Sequence, residues 1–335
     1  MENFDVIIVG AGPGGLACAY ELVDSEMSVL VVEKNEIIGP KVCAGGLKNL
    51  DPDFMLPEGR FRQFPQEDYT TRYKEYALDL EKPLRTISRH DLGQYQLGLL
   101  VGMENIKVRT GVKVLKIMDK RIETSAGDFG FRCLVGADGS NSMVRRHLGL
   151  ETKSCIGLYY VIEEARDRVI WHFDPESIKT GYVWEFPHMD NTNIGVFFNP
   201  DYLSSGVAKQ ALHDYMDRNR IKYGGCKYEA AAISHHYLGC EFGNTFLVGD
   251  AAGLALRTNG AGISFAIVSG KEIARKIMRP DYKMPELGVI LKYKSRQEGL
   301  FQFIERIGFI QRPSYRMMLN LMKKKWFQRR FGTYF

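Results

Sequence analysis

The chain has 335 residues, of which 45% are hydrophobic and 25% charged, the balance of a well-packed globule long enough for two joined domains. No apolar run approaches the roughly 18 residues of a membrane-spanning helix. The formal net charge of +5 is a tail effect, because residues 311–335 carry seven Lys/Arg and no acid, so that nothing else favours a nucleic-acid partner.

The first strand begins at Phe4, which leaves no room for a signal or transit peptide and predicts a cytoplasmic protein, with peripheral attachment at the inner face of the membrane as a further option. The six cysteines (Cys18, Cys43, Cys133, Cys155, Cys226, Cys240) show no CxxC pair and no zinc-like spacing. Reduced thiols and no metal site are expected.

Val6–Val9 is a continuous apolar run, suited to a parallel strand buried on both faces. Gly10-Ala11-Gly12-Pro13-Gly14-Gly15 follows, then a helix over Leu16–Leu22 and a second strand over Val29–Glu33. In such a βαβ unit Gly10 makes the tight turn, Gly12 lets backbone approach a pyrophosphate, and Gly15 lets helix and strand pack closely. Glu33 ends the second strand where an acid meets ribose hydroxyls. A bare GxGxxG is weak evidence; with strand, helix and acid in place it predicts a dinucleotide site.

Residues 35–85 hold Pro40, Pro52, Pro57, Pro65 and Pro83 and read as long loops with short elements, including a substrate-side insertion near 50–85. Ser88–Val101 reads as a helix. Arg89 at its start is either a phosphate or ribityl contact or a solvated arginine. Lys107–Ile117 and Arg121–Phe131 read as strands leading to Gly136-Ala137-Asp138-Gly139-Ser140-Asn141-Ser142.

From about residue 150 aromatic and β-branched residues dominate. Tyr159–Ile162, Arg168–Phe173, Tyr182–Phe186 and Asn193–Phe198 predict antiparallel strands, and Ala208–Arg218 a helix. His235 and His236 read as part of a strand, where they would face opposite ways and could not act as a pair. Thr245–Val248 then leads into Gly249-Asp250-Ala251-Ala252-Gly253, and Gly260-Ala261-Gly262 opens a helix reaching Met278. The rest is mainly helical. Tyr315, Met318, Leu319, Met322 and Trp326 lie at helical spacing against Lys323-Lys324-Lys325 and Arg329-Arg330. That helix could rest on an anionic membrane or dock on its own domain.

Three glycine-bearing turns, each behind a buried strand, describe a chain that returns repeatedly to one extended phosphate-bearing cofactor, for which FAD is the best candidate. Asp250 precedes small residues, so its carboxylate can meet a ribityl chain. The helix opened by Gly260 and Gly262 can face the flavin pyrimidine and stabilise charge on reduced flavin. The expected cofactor contacts are Gly10, Gly12, Gly14, Gly15, Glu33, Lys34, Cys43, Ala44, Gly46, Arg89, Val114, Asp138, Gly139, Asp250, Gly260, Gly262 and Ile263. The predicted fold is α/β, a Rossmann-type FAD-binding domain (1–150, returning at 241–280) interrupted by an antiparallel substrate sheet (151–240) and followed by a helical, basic region (281–335).

The order of these motifs resembles the flavoprotein superfamily of aromatic hydroxylases over most of the chain. Tyr182-Val183-Trp184-Glu185-Phe186-Pro187, with Gly195 downstream, matches the YxWxFP…G pattern of the geranylgeranyl reductase family, and Lys41-Val42-Cys43-Ala44-Gly45-Gly46 resembles that family's Cys-Gly segment beside the isoalloxazine. The resemblance implies an FAD-dependent oxidoreductase that saturates isoprenoid double bonds of a prenylated lipid, quinone or chlorophyll-like substrate by hydride transfer from reduced flavin.

Strand alternation places Tyr182, Trp184 and Phe186 on one face and Val183 and Glu185 on the other. By the resemblance Tyr182 and Trp184 line the substrate pocket, while Phe186 could be core. Cys43 is a redox or acid–base participant, a small shape-setting residue, or an inert thiol, and Gly45 and Gly46 indicate close approach of backbone to a ligand. The family's proline, threonine and acid after the third motif are replaced by Arg257-Thr258-Asn259, which leaves substrate identity and the proton route open. With no second dinucleotide fingerprint, the electron donor is NAD(P)H visiting transiently or a small redox protein. The alternatives are a flavin monooxygenase or halogenase, against which Tyr182 and Phe186 stand in a WxWxIP-like strand, and a non-catalytic flavin-bearing scaffold or sensor at a membrane.

Overall fold

The computed structural model describes residues 1–41, 43–47, 55–306, 317, 320, 321 and 324. In chain order, β1 (Glu2–Val9), α1 (Pro13–Glu21) and β2 (Val29–Val32) form the opening βαβ unit. β3 (Gly46–Leu47), β4 (Phe61–Thr70), β5 (Glu75–Ile87) and α2 (Arg89–Gly98) follow, then β6 (Ile106–Arg109), β7 (Val114–Met118), β8 (Arg121–Thr124), β9 (Gly127–Gly136) and α3 (Met143–His147). The middle of the chain supplies β10 (Ser154–Ile162), β11 (Ile170–His172), α4 (Pro175–Ile178), β12 (Tyr182–Pro187), β13 (Thr192–Phe198), α5 (Ser205–Arg218) and β14 (Lys227–Ser234). The last elements are β15 (Glu241–Phe242), β16 (Thr245–Leu247), α6 (Gly249–Ala252), α7 (Ile263–Met278) and α8 (Pro285–Arg306).

Two eight-stranded sheets result. The first has the order β15-β16-β9-β1-β2-β6, with β8 paired to β9 and β7 to β8, and its β16, β9, β1, β2 and β6 run parallel. Its strands are sheathed by helices, which explains why Val6–Val9 and Val29–Val32 read as unbroken apolar runs: Val6, Ile7, Ile8 and Val29 to Val31 have no exposed surface. Each such side chain contributes about 1.5–3 kcal/mol of burial. α1 crosses α7 closely, because a Cβ on Gly270 would overlap the Gly14 carbonyl.

The second sheet has the order β14-β10-β13-β12-β11-β4-β5-β3 and is antiparallel except where β11 meets β4. Its two faces are both buried, by different means. Leu158, Tyr160, Ile162, Val183, Ile194, Val196 and Phe198 pack with α5 residues on one side. Tyr69, Tyr159, Tyr182, Trp184, Phe186 and Phe197 share the other.

Four sequence expectations need correction. Residues 61–87, read as loop, form a long β-hairpin of β4 and β5, a bulge near Phe64 and Gln66 accommodating Pro65. Lys107–Ile117 and Arg121–Phe131 each break, the first between β6 and β7 and the second between β8 and β9; Gly111, at φ +68°, lies in the first break, and Gly127, at φ +106°, opens β9. The first helix starts at Pro13 rather than Leu16, because proline suits the first helical position. His235 and His236 lie beyond β14, which ends at Ser234.

Candidate active site

A cavity of 1460 Å³ lies between the C-terminal edge of the first sheet and the aromatic face of the second. Single-ligand pockets typically span roughly 300–1,000 Å³, so this one has room for a cofactor and a second molecule. Every expected cofactor contact lines it except Gly15. A Cβ on Gly15 would overlap the Gly10 carbonyl, so this glycine serves helix–turn packing.

The polar end of the cavity is made largely of backbone. Gly10 adopts φ +103°, and a Cβ there would sit 2.9 Å from Asp138 Cα. A Cβ on Gly12 would meet only the Ala137 oxygen, 3.9 Å away, so glycine here leaves open space. α1 has Gly12 at its N-cap with no side-chain cap, and α7 has Gly262 in the same place. Uncapped N–H groups with the positive ends of two helix dipoles make two anion-friendly surfaces on one cavity. These features fit a pyrophosphate and an electron-rich ring.

Glu33 serves as a brace as well as a rim residue. Its Oε2 accepts from Ala11 N–H at 2.9 Å and its Oε1 from Asn35 N–H at 3.0 Å. Asp138 departs from expectation more sharply. Its carboxylate accepts from Ser142 Oγ at 2.5 Å and Met143 N–H at 2.6 Å, closing the start of α3. Burial pushes its pKa up and these hydrogen bonds oppose the rise. Asp138 and Gly139 therefore shape the rim, with the carboxylate committed to α3. Asp250 accepts from Lys41 Nζ at 2.9 Å and from Ser140 Oγ at 3.0 Å. Lys34 and Val114 also border the cavity, as do Ile263 on α7 and Arg89, which follows the Ser88 cap of α2.

The apolar end is a wall of rings. Trp171 lies 5.0 Å from both Tyr182 and Phe186 between centroids, and Tyr182 stacks on Phe197 at 5.3 Å. Tyr182, Trp184 and Phe186 all border the cavity together, so Phe186 is pocket wall as well as core. Tyr69, Leu78, Leu80 and Leu84 extend the wall onto the hairpin. The pattern's glycine has a direct physical reason: Gly195 pairs with Trp184 across β12 and β13, and a Cβ on it would overlap the indole. The Tyr182 hydroxyl donates to the Asn259 carbonyl at 2.7 Å, tying the ring wall to the loop before α7.

Cys43 is half-buried between the two ends, its Sγ accepting from Gly45 N–H at 3.4 Å. The glycines after it, expected from sequence to let backbone approach a ligand, border the cavity and are also required by packing within the protein. A Cβ on Gly46 would overlap the Phe186 ring, and one on Gly45 would lie 2.5 Å from His188 Cε1. They make way for the second sheet. Lys41 and Ser140 lie within motifs legible in the sequence, but their pairing with Asp250 is not signalled there; His188 and Asn193, which the sequence does not single out, contact the Cys43 segment without bordering the cavity.

Other expectations fall away from the cavity or beyond the described residues. His235 is pushed down to about 4 by burial, and His236 is also lowered; neither borders the cavity. Arg312, Tyr315, Arg316, Met318, Leu319, Met322, Lys323, Lys325, Trp326, Arg329 and Arg330 lie outside the described residues. Among the described residues no His/Cys/Asp/Glu group could hold a metal, and no helix is long and apolar enough to cross a membrane.

With this geometry in place, the comparisons with known proteins are informative. Residues 8–44 match the NAD(P)-binding Rossmann-like domain family. An uncharacterized protein of Methanosarcina barkeri is 29% identical over 83% of this chain and 75% of its own length. Digeranylgeranylglycerophospholipid reductase 1 of Methanopyrus kandleri is 24% identical, covering 90% of this chain and 87% of its own. In fold the chain is similar to a geranylgeranyl bacteriochlorophyll reductase-like protein of Thermoplasma acidophilum, with a TM-score of 0.79 at 20% identity over 97% of this chain and 92% of that one.

Proposed function

We infer that this chain, which belongs to the geranylgeranyl reductase family and is an FAD-dependent oxidoreductase, saturates carbon–carbon double bonds in the isoprenoid chain of a prenylated lipid. The observation that carries this reading is the continuity of the cavity: a backbone-built, anion-friendly cradle runs directly into a chamber walled by Trp171, Tyr182, Trp184, Phe186 and Phe197. A hydroxylated aromatic substrate would need polar groups along that wall, whereas an isoprenoid needs apolar area and shape.

The residues divide the work. The N-terminus of α1, with Gly12 at its cap, would hold the pyrophosphate, Asp250 and Ser140 would meet the ribityl hydroxyls, and the N-terminus of α7 would lie at the flavin ring. When bound and reduced, FAD supplies a hydride. The protein's task is position and exclusion of water, because an isolated alkene is a poor hydride acceptor. Trp184 sets the depth of the chamber from a seat over Gly195, and Tyr182 fixes the chamber against the loop that precedes α7. The donor that recharges the flavin, NAD(P)H or a small redox protein, would visit transiently.

The test is anaerobic. FAD-loaded protein reduced with dithionite is mixed with lipids bearing geranylgeranyl chains, and the flavin should reoxidise as saturated product appears. No reoxidation by any prenyl lipid or prenyl quinone would refute the reading, as would a hydroxylated or halogenated product formed only with oxygen.

A further inference from the structure

Cys43 to Gly46 is a stretch of the cavity wall that makes contacts with both halves of the molecule. Gly46 and Leu47 form β3 and pair with Thr86 and Arg85 of β5, at the edge of the second sheet. Just before that pairing, two successive carbonyl groups are captured by side chains to which the reaction assigns nothing. Asn193 on β13 donates from Nδ2 to the Cys43 oxygen at 3.1 Å. His188, at the end of β12, places Nε2 2.9 Å from the Ala44 oxygen. The two side chains lie against each other, Nδ2 3.1 Å from Nε2, a contact that is not a hydrogen bond when Nε2 carries the proton. Both are buried, at 8% and 4% exposure.

A carbonyl taken out of water needs a donor, and His188 meets that need when its proton sits on Nε2. Burial holds the His188 pKa below the ordinary imidazole value, which keeps the ring neutral. The path of the segment is further constrained by shape. Gly45 adopts φ +74°, a Cβ on it would overlap the Ile87 carbonyl, and the turn between β12 and β13 is closed by His188 N–H donating to Asn191 O at 2.7 Å. The donors thus sit at and just after a braced turn of the substrate sheet, His188 entering it and Asn193 on β13, and the acceptors on a loop reaching it from the cofactor half.

The geometry points to His188 and Asn193 as positioning residues, a clasp by which the substrate sheet holds Cys43 and Ala44 at the border between FAD cradle and isoprenoid chamber. The catalytic consequence rests on the function proposed above; the clasp itself does not. Without it, the border segment would open locally while both sheets stayed folded.

The experiment uses the FAD-loaded full chain and follows alkylation of individual cysteines by iodoacetamide, together with the visible spectrum of bound flavin. His188→Leu and Asn193→Leu should each speed alkylation of Cys43 roughly tenfold, the scale of one lost hydrogen bond, and shift the flavin bands. Half-buried Cys133 and Cys226 should react as in wild type. His188→Gln, which keeps a donor, should restore slow alkylation. Asn193→Ser serves if a leucine variant does not fold. Unchanged Cys43 reactivity and flavin spectrum in folded variants would overturn the clasp, and so would equal acceleration at all three cysteines. If the clasp variants respond but wild-type protein reduces no prenyl substrate, the functional reading fails and the clasp stands. An active wild type with unresponsive variants would overturn the clasp and leave the functional reading in place.

Discussion

The two sheets meet the cavity in opposite ways. The first presents strand ends, so its contribution is turns and helix N-termini, with recognition through backbone N–H groups that any side chain would obstruct. The second presents a face, so its contribution is a set of rings drawn from several strands. A charged dinucleotide is well matched by fixed dipoles, and an isoprenoid chain by apolar area. One cavity therefore has a backbone end and a side-chain end, and changes at the two should fail differently.

The largest expected effect is on the side-chain end. Trp184→Ala removes a ring that is 5% exposed, and should destabilise the protein by about 3–5 kcal/mol while leaving FAD affinity within a few-fold of wild type. Denaturant unfolding beside a flavin fluorescence titration checks both parts. Loss of flavin binding equal to the loss of stability would erase the distinction between the ends.

Acid should sharpen the contrast. His172, on the α5 side of the second sheet, is pushed down to about 4 by burial and lies tilted against Tyr215 at 4.7 Å between centroids. Its folded pKa lies below the unfolded value of about 6.5, so the unfolded chain binds the extra proton between these values. Its contribution is complete above about pH 6.5 and is lost as pH falls toward 4, amounting to about 3 kcal/mol. Melting temperatures across that window should fall in wild type and less in His172→Gln; parallel curves would contradict the assignment.

At the backbone end, Gly12→Asp places a carboxylate in open space beside an uncapped helix start. FAD should bind about a hundredfold more weakly (~2.7 kcal/mol), while the melting temperature of cofactor-free protein stays near wild type. Retained flavin would show that the pyrophosphate is held elsewhere. The smallest effect belongs to the link between the ends. Tyr182→Phe loses only the hydrogen bond to the Asn259 oxygen, worth about 1 kcal/mol, and should lower the turnover of prenyl substrate a few-fold with little change in FAD affinity. Steady-state kinetics with independent flavin titration would reveal it.

The difference between the ends also explains what could be read in advance. A glycine turn advertises itself locally, because Gly10 must adopt a φ that side chains resist and must follow an apolar strand directly. The strand from Tyr182 to Pro187 was legible for a similar reason, since alternation assigns Tyr182, Trp184 and Phe186 to one face whatever the sheet's neighbours. The hairpin over 61–87 was obscured by its prolines, and its place beside β11 depends on a parallel pairing about a hundred residues distant. Asp138 was only half legible, because a carboxylate beside a glycine turn suits a ligand and a helix start equally well, and its bonds to the N–H groups of α3 appear only in the structure.

By itself, then, the order of residues determined the strand–turn–helix units, the dinucleotide cradle and the aromatic stripe, because each depends on backbone conformation or periodicity within a few residues. Tertiary structure alone decided that Lys41 pairs with Asp250 and that Asn193 and His188 grip the Cys43 segment. It also decided that Gly45 and Gly46 yield to the second sheet. These are contacts between side chains and backbone far apart in the chain, and they exist only once two sheets have closed on one cavity.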